Sequence, residues 1–482
     1  MQFNSYIFIL LYLPVMVTGY FVLNRFHLLA GKVFLILMSA VFYIYGGLNI
    51  AVITGASILL NYLLVSLLEK AGTYKKALLV SDIAANVLLL FYFKYFNFLL
   101  ETLNGSLGTD YTLRNIILPL GISFLTFQQI MYAVNVYKKD IQQVNVLDYL
   151  AYILYFPKVL MGPLVEPADL IAQINDPALK KVNWDNIASG LKTFSYGLFK
   201  KMLLADTFSA AVSWGFSNVE AATAMDCFLV MLSYTFEIYF DFSGYSDMAT
   251  AVSHMLNIRL PINFDSPYKA LSIRDFWKRW HISLTGFLTK YIYIPLGGSK
   301  KGKARTYLNT MIVFLVSGIW HGANWTFLLW GAIHGILSVF DRIFENKKRN
   351  LMEAVRWAGT FFAVNLLWLL FRADSIAQWG NILAKMFTFQ DMNVSSGLLA
   401  EFLLPEISIL LQVLHLSHLH ETVRGFNLAV FVAVSFFLCL VPANNYKKLQ
   451  KNNWISMVFA AIAFVWAFLC LSGEAVFVYF SF

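Results

Sequence analysis

Apolar stretches follow one another along the whole chain, separated by loops too short to hold an independent soluble domain. They fall at 6–23, 31–46, 50–68, 77–99, 116–136, 187–214, 225–252, 307–319, 323–340, 355–372, 426–442 and 454–472. A helix that crosses a bilayer needs about 20 mostly apolar residues. Of the 482 residues, 59% are hydrophobic and only 13% charged, whereas soluble domains carry roughly 25% charged residues. The pattern predicts an all-α polytopic membrane protein with about 11–12 transmembrane helices. The segment 148–170 is also apolar, but Pro157, Gly162, Pro163 and Pro167 break it. It is expected to be re-entrant, because non-helical backbone at membrane depth must be covered by protein or line a cavity.

The formal net charge is +9. The basic residues sit in short loops between apolar stretches, a positive-inside pattern that excludes nucleic acid as the partner. Arg25, Lys32, Lys70, Lys75, Lys76, Lys138 and Lys139 mark alternate loops, which places the N-terminus outside the cell. The start of the chain lacks a basic leader region and a cleavage site, so it reads as a retained span. Cys227, Cys439 and Cys470 lie in apolar runs without C-x-x-C spacing and suggest neither a disulfide framework nor a zinc site. The densest basic stretch is 269–305. It mixes aromatic and basic residues, as an interfacial helix would, or is simply a positive-inside loop.

Two Trp–His dipeptides stand out against this background: Trp280–His281 in FWKRWHISL and Trp320–His321 in SGIWHGANW. Histidine is costly in hydrocarbon and titrates near neutral pH. Gly318, Gly322, Asn324 and Gly331 interrupt the apolar run around His321, which predicts a break in the spans facing a cavity. A neutral imidazole there can take a proton from a hydroxyl nucleophile, although a packing histidine bonded across helices has the same surroundings. His281 follows Lys278 and Arg279, cations that favour its neutral form; placing a donor and simple interfacial location are both open for it. His334 closes the second motif and reads more as structure. Glu237, Asp241 and Asp247 lie within an apolar stretch and either pair with cations or line a polar interior. The cluster His415, His418, His420 and Glu421 lacks a second ligand set, so no metal site is expected. No covalent nucleophile motif is present, and direct attack by an acceptor hydroxyl is the simpler chemistry.

The motifs FPKVLMGPLVEP (156–167), SYTFEIYFDFSGYSDMA (233–249), the segment 263–302 around FWKRWHISL, and FLVSGIWHGANWTFLLWGAIHG (314–335) together resemble the membrane-bound O-acyltransferase superfamily. Within it they are most similar to the bacterial polysaccharide O-acetyltransferase branch. The resemblance implies one polytopic domain over 1–482, with a motif core at about 115–345 and extra spans at about 355–482, and a tunnel through a thin centre. It implies His321 as the principal catalytic residue and places the family's second signature, a His, Asn or Asp, on His281. Trp280, Trp320, Asn324, Lys278, Arg279, Glu237, Asp241, Asp247 and His334 become candidate donor-binding or tunnel-lining residues. It also implies a bacterial cytoplasmic-membrane enzyme with no bound cofactor. Such an enzyme moves acetyl from cytoplasmic acetyl-CoA toward an extracytoplasmic glycan, together with an exported partner. Two alternatives stay open: D-alanyl transfer to teichoic acid from an acyl-carrier protein, and a transporter or flippase without covalent chemistry. The spans after residue 425 favour the polysaccharide branch.

Overall fold

The computed structural model describes residues 1–119, 121–142, 145–345, 351–449 and 451–471. Among these residues the regular structure is helical, with no strand. Two compact units divide the chain. The first consists of Met1–Gly197, Tyr245–Ile262 and Leu449–Val465; the second consists of Leu198–Gly244, Asn263–Lys448 and the chain from Trp466.

The first unit begins with α1 (Phe8–Phe26), α2 (Leu28–Ile44), α3 (Leu48–Lys70) and α4 (Gly72–Leu107). The expected span 116–136 starts late, as α5 (Ile122–Lys138), because residues 108–119 carry no regular structure. Gly121 makes the turn into it with φ 76°, and a Cβ there would lie 2.9 Å from the Val159 carbonyl oxygen. The proline-broken segment forms α6 (Val146–Ile153), one turn at Phe156–Val159, and α7 (Pro167–Asn175). Residues 155–165 are all buried, so protein covers the non-helical backbone, as the sequence predicts for a re-entrant element.

A continuous helix, α8 (184–217), carries the chain into the second unit, and α9 (Ala224–Met255) returns it to the first. The second unit then builds α10 (Ile273–Arg279), α11 (Ile282–Leu288), α12 (Lys303–His321), α13 (Trp325–Ile343), α14 (Glu353–Arg372) and α15 (Ser417–Leu440). The last described helix is α16 (Trp454–Leu469). Each of the twelve apolar stretches contains a helix; the last residue of 454–472 lies outside the described residues. Among the described residues, six helices are long and apolar enough to cross a membrane: α1, α3, α4, α13, α14 and α15. The chain is a multi-pass membrane protein. Helices α2 and α16 are apolar but shorter, and α9 carries Asp226, Glu237, Asp241 and Asp247 along its length.

Helices α12 and α13 form the hairpin on which the candidate site is built. A Cβ on Gly318 would stand 2.4 Å from the Phe327 carbonyl oxygen, and one on Gly331 would stand 2.4 Å from that of Phe314. Only glycine permits this backbone-to-backbone approach. The sequence break around His321 is therefore a tight crossing of two helices.

Candidate active site

His321 is the last residue of α12 and is 5% exposed. Gly322 follows in extended conformation, and Asn324 then caps α13 by accepting from the Thr326 N–H at 3.0 Å. The Asn324 amide also donates to the Asp374 carbonyl oxygen at 2.8 Å. The structure thus gives Asn324 the work of ending the break and starting the next helix.

Aromatic rings bring three histidines into one string. Trp320 lies 6.3 Å from His281 and 4.9 Å from His321, centroid to centroid. Trp330 lies 5.2 Å from His321 and 4.6 Å from His334, edge-on to both. Trp277 ends the string by donating its indole N–H to His334 Nδ1 at 3.2 Å. Phe371 of α14 packs against His321 at 5.1 Å. His281 and His334 are each 1% exposed. Trp330 and His334 sit four residues apart on one face of α13.

His281 occupies the junction of α10 and α11 with φ 45° and ψ 52°, in the left-handed region. The Asn263 carbonyl oxygen accepts from the Ile282 N–H at 3.0 Å, and its side-chain oxygen accepts from the Ser283 hydroxyl at 2.6 Å. Asp265 N–H donates to the Arg279 carbonyl oxygen at 2.9 Å on the other side. The strained turn is thereby over-determined. Burial pushes the His281 pKa down to about 3, so its imidazole is neutral near pH 7.

A cavity of about 370 Å³ adjoins this string. Arg274, Lys278, Arg342 and Tyr293 contribute its polar lining, and Lys278 is exposed. Its buried wall includes Trp277 and Ser317. Ser317 lies one turn before His321 on α12, and Trp277 is the residue that bonds His334. Ser338 also lines the cavity; it is 3% exposed, and its hydroxyl has no hydrogen-bond partner among the described residues.

The remaining predicted residues distribute differently. Trp280 packs among Phe264, Phe276 and Trp368, with ring centroids 4.8–5.6 Å away, and is core. Arg279 pairs with Asp275 at 2.9 Å and donates to the Asp265 carbonyl oxygen, which closes the local turn. Asp241, fully buried, receives Lys201 at 2.7 Å; the same ammonium reaches Asp206 at 2.9 Å. Glu237, one turn earlier, is 3% exposed, and its Oε2 has no hydrogen-bond partner among the described residues. Asp247 falls in the first unit, and Glu237 and Asp241 in the second. Sequence reasoning missed Lys201, Trp277, Trp330 and Arg342. Only the i,i+4 spacing of Trp330 and His334 was available as a signal.

With this geometry in place, comparison with known proteins fixes the class. Residues 23–377 match the membrane-bound O-acyltransferase family. The chain is 34% identical to the peptidoglycan O-acetyltransferase of Helicobacter pylori over 519 aligned positions, covering 100% of this chain and 97% of that protein. It is 34% identical to the probable alginate O-acetylase AlgI of Pseudomonas putida over 82% of each chain. The teichoic acid D-alanyltransferase of Bacillus subtilis matches at 27% over 51% of this chain and 64% of its own length. The chain belongs to the membrane-bound O-acyltransferase family and is an acyl-transferring enzyme.

Proposed function

We propose that this protein moves an acetyl group from a cytoplasmic phosphate-bearing thioester, acetyl-CoA, to a hydroxyl of an extracytoplasmic glycan, with His321 as general base. The observation that carries the reading is the adjacency of the cationic cavity to the histidine string through Ser317 and Trp277. Arg274, Lys278 and Arg342 suit the donor's phosphates, Ser338 offers it a hydroxyl, and Ser317 in the cavity wall stands one helical turn before His321. In the transfer, the His321 imidazole accepts the hydroxyl proton as the oxygen attacks the thioester carbonyl. The carbon–sulfur bond then breaks, and the leaving thiolate takes the proton. Neutral His281, whose ring lies 6.3 Å from that of Trp320, positions a reactant and carries no charge into the site.

Peptidoglycan is the favoured acceptor, because similarity to the enzyme named for that activity runs the full length of this chain, whereas the alginate relatives match over 82%. The D-alanyl alternative has the weaker support, since those relatives match about half the chain. The loop charges favour an N-terminus outside the cytoplasmic membrane, with the basic segment 269–305 inside. An exported partner that completes delivery to the glycan fits this division of labour.

The test uses purified full-length protein with radiolabelled acetyl-CoA and soluble glycan fragments, with and without membrane extract as a source of partner. The label is expected to leave CoA in the wild type and to stay on it in His321→Ala. Label release by His321→Ala at the wild-type rate would overturn the assignment.

A further inference from the structure

The first unit holds a cavity of about 380 Å³ at the end where α3 stops, α4 starts and α5 stops. Buried Leu68 and Val136 give it an apolar lining, and Lys75, Lys139 and Gln142 a polar one. No acidic side chain lines it among the described residues. Neither lysine forms an ion pair among those residues. In the sequence, segments 69–76 and 137–142 carry Lys70, Lys75, Lys76, Lys138 and Lys139 against Glu69 and Asp140, an excess of positive charge at this end.

Helix chemistry alone does not explain the two lysines. Lys139 ends α5 with φ 64°, a left-handed turn that glycine or asparagine makes more easily, and its N–H donates to the Val136 carbonyl oxygen at 3.1 Å. Lys75 opens the α-helical part of α4, where the macrodipole opposes a cation. An anion in the cavity supplies the missing counter-charge. Lysine is a mobile point charge on a four-carbon stem, so both ammonium groups can turn onto one phosphate held there. The cavity also lies where the hydrocarbon begins. Leu68 is the last residue of the apolar window Ala51–Leu68, and the same helix exposes Leu60, Leu63 and Leu67. A soluble anion would use only the lysines. An anionic phospholipid uses both features, with its phosphate in the cavity and its acyl chains along the exposed leucines, as headgroup pockets between spans do in general.

We propose that Lys75 and Lys139 bind the phosphate of an anionic phospholipid, of the phosphatidylglycerol class, at the membrane end of α3, α4 and α5. The site stands apart from the acyl-transfer reading and survives or fails without it.

The test strips the purified full-length protein of lipid in a neutral detergent and adds back dioleoylphosphatidylglycerol, dioleoylphosphatidylcholine or inorganic phosphate. Phosphatidylglycerol is expected to raise the thermal midpoint to a plateau that phosphatidylcholine does not reach, and native mass spectrometry to retain it as a bound lipid. Lys75→Gln combined with Lys139→Gly is expected to fold, because glycine suits the left-handed turn, and to lose that lipid and most of the rise. Lys300→Gln combined with Lys301→Gln removes the same charge from another exposed loop and is expected to keep both. Equal phosphatidylglycerol retention by the first double variant overturns the proposal. So does equal loss by the second, which would mean that net charge alone draws the lipid. A full rise with inorganic phosphate overturns it as well and makes the cavity a soluble-anion site.

Discussion

Trp277 donates its indole N–H to His334 Nδ1 at 3.2 Å and so joins α10 to α13. Indole is a donor only, so Nδ1 is the accepting nitrogen and the neutral ring carries its proton on Nε2. The same indole forms part of the buried cavity wall. Trp277→Phe keeps most of the packing and deletes the donor. The expected outcome is a loss of about 1 kcal/mol in stability, with slower acetyl transfer. Thermal unfolding and label release measure the two effects; no change in either would show that the bond is idle.

His281 makes the protein acid-sensitive. Its folded pKa, near 3, lies below the unfolded value of about 6.5. The unfolded chain therefore binds a proton that the folded chain refuses. Stability contributed by the neutral ring is complete above about pH 6.5 and is lost as pH falls toward 3, by at most about 1.4 kcal/mol per unit. Unfolding midpoints measured across pH 4–7.5 should fall with acid, and His281→Asn should flatten the slope.

Gly331→Ala tests the crossing of α12 and α13. Its Cβ would stand 2.4 Å from a carbonyl oxygen, so the helices must separate. Overpacking of this kind costs about 1–3 kcal/mol, and separation moves Trp330 away from His321. Activity should fall more than the stability loss explains. Retention of full transfer by a well-folded variant would mean that the tight crossing is dispensable for chemistry.

Lys201→Met removes the ammonium that bridges buried Asp241 and Asp206. Removing one member of a buried pair costs about 3–5 kcal/mol, so yield and thermal midpoint should drop sharply. Combining Lys201→Met with Asp241→Leu should recover part of the loss.

Arg342→Ala probes donor binding. If the cavity holds the phosphates, KM for acetyl-CoA should rise about tenfold or more, as loss of a charge-assisted hydrogen bond implies, with kcat little changed. A selective fall in kcat instead would place Arg342 nearer the reacting atoms than the cavity suggests.

The apolar pattern made legible each of the six helices that, among the described residues, are long and apolar enough to cross a membrane, because hydrocarbon burial leaves its mark on composition residue by residue. The W-H-G motif likewise exposed the α12–α13 break, since glycines at a crossing are visible in sequence. The pairing of Lys201 with Asp241 was not legible: forty residues separate them, and a π-helical turn over Lys200–Ala205 carries the lysine. Arg342 stayed hidden for a similar reason. It stands in the last turn of an apolar helix and reads as a flanking charge, although it shares a cavity with Arg274 and Lys278. Glu237, Asp241 and Asp247 of α9 looked like one group, yet the first two fall in the second unit and Asp247 in the first.

The left-handed backbone at His281 also limits which amino acids can stand there. Outside glycine, that conformation is favoured mainly by asparagine, aspartate and histidine, while β-branched side chains oppose it. Those three types are the set expected at the family's second signature. A residue alphabet that reads as a choice among reactive groups is thus already narrowed by the shape of the main chain, before any substrate arrives.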